Sequence, residues 1–132
     1  MRIQFRAENF LSIKDSVVLS LLSSKDNEHP EHLIVDGSKR YLKSAVIYGA
    51  NASGKSNVLH AFWFMVNYVL TSHNQQLHKA IERSPFKFDC ETPSRPSCFE
   101  AIFTANGIRY AYGFSVTDKA VIEEYLYYYP KD

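Results

Sequence analysis

The chain has 132 residues, 45% of them hydrophobic, enough for one modest core and no more. With 15 Lys and Arg against 14 Asp and Glu the formal charge is +1, which lends no support to nucleic-acid or anionic-membrane binding. The two cysteines, Cys90 and Cys98, fit neither zinc-knuckle nor redox spacing and read as reduced thiols of a cytoplasmic protein.

Ile3, Phe5 and Ala7 alternate with Arg2, Gln4, Arg6 and Glu8, which predicts a half-buried strand and rules out a signal-peptide pattern. Asn9 to Asp15 turns the chain into a second strand, Val17 to Leu22, antiparallel to the first. Ser23 to Lys43 is polar and without period, and is expected to be a long loop punctuated by Pro30 and Gly37. Within it, His29 and His32 stand among Glu28 and Glu31, but no third ligand or rigid frame accompanies them, so a solvated loop is preferred to a metal site. Ala45-Val46-Ile47-Tyr48 reads as a short buried strand. Val58, Leu59, Phe62, Met65, Val66 and Val69 then recur at helical spacing, predicting a helix from about Gly54 to Leu70 or Ser72. His60 and Asn67 interrupt that stretch, which is also too short to cross a bilayer.

Ser72 to Arg83 is polar, with His73 and His78 as surface positions. Pro85, Pro93 and Pro96 bracket Phe86-Lys87-Phe88, an expected edge strand. Phe99 to Thr104 and Ile108 to Val116 are strands joined through Asn106-Gly107, a strong hairpin signal. A turn at Thr117-Asp118-Lys119 leads to a last strand, Val121 to Tyr129, whose Tyr125, Tyr127, Tyr128 and Tyr129 would cover a sheet face or meet a partner. The aromatic run from Arg109 to Val116 lacks the glycine and basic groove of an RNA-binding strand. The fold expected is therefore α/β, with strands, loop and helix over residues 1–72 and an antiparallel β-subdomain over 73–132.

The residues that carry chemistry are 49 to 57: Gly49, Ala50, Asn51, Ala52, Ser53, Gly54, Lys55, Ser56 and Asn57. They spell G-x-x-x-x-G-K-S, the P-loop, followed by a further Asn. The glycines allow the backbone to wrap a phosphate chain with its N–H groups inward. Lys55 supplies a point charge to the β- and γ-phosphates of ATP, and the Ser56 hydroxyl is placed to hold Mg²⁺. Strand, glycine loop and helix together aim a helix N-terminus at an anion.

Asn51 and Asn57 distinguish this loop from those of adenylate-type kinases, AAA+ machines and small GTPases. The pattern G-x-N-x-x-G-K-S-N resembles the loop of ABC-type ATPases of the SMC, RecF and OLD group, and is close to bacterial AAA-family ATP-binding proteins of abortive-infection systems. Those proteins also begin with a strand and an N-F-x-S turn, seen here as Asn9-Phe10-Leu11-Ser12. The resemblance implies that Asn9, Phe10 and Ser12 lie near the base, ribose or α-phosphate. It implies an ABC-ATPase-like N-terminal lobe with an antiparallel β-subdomain, and a second protomer closing head to tail over ATP. Ala52 departs from the glycine of many such loops.

The family also requires a glutamine loop, a signature helix, a Walker B strand ending Asp-Glu and a switch histidine. Val121-Ile122-Glu123-Glu124 lacks the Asp, and Gln75 and Gln76 follow the helix too soon. The chain is thus expected to be the N-terminal part of a longer ATPase, incomplete without the Walker B half and inactive in hydrolysis alone. Its unpaired sheet edge predicts self-association or completion by that remainder. The implied role is control of an effector, a nuclease or toxin, in phage defence or DNA repair. The alternatives are a complete small P-loop kinase-like enzyme, or an interaction module with a vestigial loop.

Overall fold

Alternation in β1 (Arg2–Glu8) places Ile3, Phe5 and Ala7 in the interior, and this strand becomes the second of a five-stranded sheet. The computed structural model describes residues 2–25, 28–49, 54–74 and 79–130. Ala50, Asn51, Ala52 and Ser53 of the loop, with Gln75, Gln76 and His78, lie outside the described residues. β2 (Val17–Ser20) pairs antiparallel with β1 as expected, stopping short of Leu22. On its other side β1 pairs with β5 (Ser97–Ala105), which continues through β6 (Ile108–Val116) to β7 (Val121–Tyr129). The order is β2-β1-β5-β6-β7, antiparallel throughout, so one sheet takes strands from both sides of residue 72.

The β5–β6 hairpin turns on Asn106 (φ 52°) and Gly107 (φ 74°), the left-handed pair that two-residue hairpins demand. β7 is an edge strand. Tyr127, Tyr128 and Tyr129 are exposed on it, so they do not cover the sheet. Tyr125 instead lies across Gly113 of β6, where any Cβ would collide with its ring, and its hydroxyl donates to Glu100.

α1 (Lys55–Thr71) lies on the sheet face that carries Phe5, Phe99 and Phe114. Ala61 and Met65 are its fully buried residues; Phe62 meets Phe5 edge-on at 5.1 Å, and Tyr68 meets Phe114 at 5.4 Å. Each such aromatic pair adds about 0.5–1.5 kcal/mol beyond burial. Leu59 and Val69, counted by spacing into the inward stripe, are exposed. The stripe centres on Ala61 and Met65, and Leu59 stands about 200° round the helix from Ala61.

Three expectations are corrected. Ser23 to Lys43 is not all loop: β3 (Leu33–Asp36) and β4 (Lys39–Leu42) form a two-stranded hairpin about Gly37, φ 60°. Phe86-Lys87-Phe88 forms no strand, because its backbone serves the interior of the Asn9 turn instead of a ladder. Residues 44–49 form no strand either, and Tyr48 is 87% exposed. An apolar strand needs neighbours on both edges, and among the described residues none pairs with this one.

Candidate functional site

Gly54 caps α1 in the left-handed conformation, φ 80°, with no side-chain hydrogen bond to the first turn and no acidic residue in it. The first backbone N–H groups of a helix have no intrahelical partner, and the aligned peptide dipoles make that end positive. An uncapped N-terminus without carboxylates therefore favours an incoming anion. Lys55 opens the helix, and its Nζ donates to the Gly49 carbonyl at 2.7 Å. That single bond spans the mouth of the loop, joining its first glycine to its lysine. Ser56 is exposed at the next position. Asn57, at the third, donates its backbone N–H to the Gly54 carbonyl at 2.9 Å.

The donor set suits a polyphosphate. It combines the N–H groups of a helix N-terminus, an ammonium bonded among the described residues to a neutral carbonyl, and an exposed hydroxyl. For a divalent cation the loop offers Ser56. Among the described residues no group of three His, Cys, Asp or Glu could hold a metal ion, His29 and His32 included. Two clefts, of about 530 Å³ beside Trp63 and Tyr68 and about 730 Å³ beside Phe62 and Leu42, involve neither Lys55 nor Ser56. Gly49 and Ser56, at the two ends of the loop, are exposed.

The Asn9–Ser12 turn reaches this loop through one of its residues. Ser12 accepts a hydrogen bond from Asn57 Nδ2 at 2.6 Å. Asn9 and Phe10, implied as nucleotide neighbours, are committed to the interior. Asn9 Nδ2 donates to the carbonyls of Thr92, Arg95 and Pro96, and its Oδ1 accepts from the Phe86 N–H. Phe10 packs on Phe64 and Phe99 at 5.4 and 5.5 Å. A buried amide with both hydrogens committed to the protein has no donor left for a ligand.

Arg83, which the sequence did not single out, backs the same turn. Its guanidinium, with a side chain 1% exposed, pairs with Asp118 at 2.8 Å and donates to Pro93, Arg95 and the Ser97 hydroxyl. Ser97 in turn donates to the Asn9 carbonyl. Lys14 closes the turn's other end on Asp89 at 2.7 Å, and the ammonium holds that carboxyl down at about 2. A lone Arg in a polar stretch gave no signal of burial.

A family model described as "AAA domain, putative AbiEii toxin, Type IV TA system" matches residues 44–132. The chain belongs to this AAA-domain family. No curated protein and no solved structure matches it. The matched stretch opens just before the phosphate loop and takes in α1 and β5 to β7, so nucleotide-binding, ATPase-like character rests on the part of the AAA domain that bears Lys55 and Ser56. β1, its turn and the β3–β4 hairpin lie before it. Among the described residues no helix is long and apolar enough to cross a membrane.

Proposed function

We propose that this AAA-family chain is the nucleotide-binding lobe of an ABC-type ATPase of the SMC, RecF and OLD kind, taking ATP with Mg²⁺ at residues 49–57. The observation that carries the proposal is the N-terminus of α1, where Gly54 makes no side-chain cap and Lys55, among the described residues, is bridged to the neutral Gly49 carbonyl. Lys55 and the loop N–H groups would hold the β- and γ-phosphates, and Ser56 the Mg²⁺. Bound there, the cation would neutralise charge on the phosphates. The chain's own part is to bind and orient: Gly54 in its left-handed conformation keeps the helix end open, and Lys55 exchanges a carbonyl partner for an anionic one.

Hydrolysis needs a group that polarises water, and no carboxylate neighbours the loop residues that are described. We assign that group, and the layer that would pair with the largely exposed residues 44–48, to a further segment or to a second protomer placed head to tail. Nucleotide-dependent closure would then license an effector, a nuclease or toxin, in phage defence or DNA repair, in the cytoplasm. The name of the matched family supports the toxin branch of this proposal.

Calorimetric titration with Mg-ATP, alongside a phosphate-release assay, tests it. Wild-type chain is expected to bind and not to turn over. Lys55→Ala is expected to lose about tenfold or more in affinity, the worth of one charge-assisted contact. Robust phosphate release by this chain alone would instead favour a complete small P-loop enzyme. Undiminished binding by Lys55→Ala would remove the loop from the site.

A further inference from the structure

Asn57 occupies the third position of α1, where Glu or Gln commonly reaches back to the helix's own N-cap N–H. Here the amide turns outward to the Ser12 hydroxyl, on a different element, at 2.6 Å. Ser12 sits on a two-residue turn in which Phe10 and Ile13 exchange backbone hydrogen bonds at 2.9 and 2.8 Å. Leu11, between them, has φ 50°, a conformation that costs a branched residue roughly 1–2 kcal/mol. Its N–H donates to the Ser84 carbonyl at 2.7 Å, and its side chain packs on the core, which offsets that cost. The result is a strained turn, held from behind, that presents Ser12 to the loop. On the receiving side, a Cβ at Gly54 would collide with the Ser12 hydroxyl.

We propose that Ser12 and Asn57 are a positioning pair for the phosphate loop: the turn after β1 fixes the helix end, and with it the left-handed Gly54, before any ligand arrives. The pair ties together two sequence features that are far apart, the Asn after the loop serine and the N-F-x-S turn. Asn57 spends its side chain on Ser12 and not on the N-cap N–H of Gly54. Ser12 gives that side chain a partner anchored through Asn9 to Thr92, Arg95 and Pro96. A site preorganised in this way does not expend ligand binding energy on ordering the loop. The proposal rests on the nucleotide-binding function above.

The test is a double-mutant cycle on Mg-ATP affinity with Ser12→Ala, Asn57→Ala and the double variant, each also unfolded in urea. Either single change should weaken binding about three- to tenfold with little change in the unfolding midpoint, since the contact is exposed. The double variant should be no weaker than the worse single one. In the ligand-free protein the Asn57 side-chain amide signals should shift on Ser12→Ala by nuclear magnetic resonance. Additive losses, unchanged affinity or an unmoved Asn57 signal would overturn the pair while leaving nucleotide binding intact. Wild-type chain that binds no Mg-ATP would overturn the underlying function instead, and the pairing's purpose with it.

Discussion

Asn9 carries more of the structure than its place in an N-F-x-S turn suggests. Its φ of 53° is tolerable for Asn, and in a buried position its two amide hydrogens are shared among three carbonyls while its oxygen accepts one bond. Asn9→Ala would take one donor from each of those carbonyls, strip the Phe86 N–H of its acceptor and force Ala into the left-handed region. A loss of about 3 kcal/mol is expected from urea unfolding, against a small change for the neighbouring exposed Ser12→Ala. Equal effects at the two positions would contradict the division of the turn into a buried anchor and an exposed contact. From sequence, Asn9 and Ser12 looked alike as ligand neighbours. Period-two burial ends at the strand, and nothing in the spelling says which turn residue points inward.

Strands with strong alternation were legible to within a residue or two: β1, β6 and β7 follow directly from their patterns, as does the Asn106-Gly107 hairpin. Two kinds of segment were not. Leu33-Ile34-Val35 is too short and too exposed to stand out of its polar surroundings, and Ala45 to Tyr48 has a strand's composition but, among the described residues, no neighbour to pair with. Nor does alternation reveal what crosses between strands. Tyr125 on β7 fills the space over Gly113 on β6 and bonds Glu100 on β5, so three strands share one side chain. Burial, together with the Glu100 carboxylate, pushes its hydroxyl from 10.0 up to about 12. A raised phenol favours the neutral form in the fold, so its contribution is complete below pH 10 and is lost as pH rises through 12. Alkaline unfolding should therefore set in across that window. Tyr125→Phe should delete one late-titrating phenolate from the ultraviolet titration, and a mid-strand phenolate appearing near pH 10 would contradict the bond.

Across the whole molecule, one face of α1 is buried and the other is not. Trp63, 66% exposed, stands with Leu59 and Leu70 on the side away from the sheet, and Val46 and Tyr48 are open as well. Such an exposed apolar stripe is where the proposed second protomer would be expected to sit. Sedimentation velocity is expected to show association that grows with concentration, with the emission of Trp63, the single tryptophan, shifting to the blue in step. A strictly monomeric chain with unchanging emission would contradict the second-protomer proposal. The central pairing of the sheet has a consequence for synthesis. Phe5 finds its partner in Ala101, and Asn9 finds its carbonyls between Thr92 and Pro96. β1 can pair with β2 as soon as both are made, but its other edge waits for β5 while the β3–β4 hairpin and α1 are synthesised. Until β5 and β6 emerge, α1 lacks the Phe99 and Phe114 part of its floor and the Asn9 turn lacks its carbonyls, so the Ser12 brace on the end of α1 waits for residues made well after the helix itself.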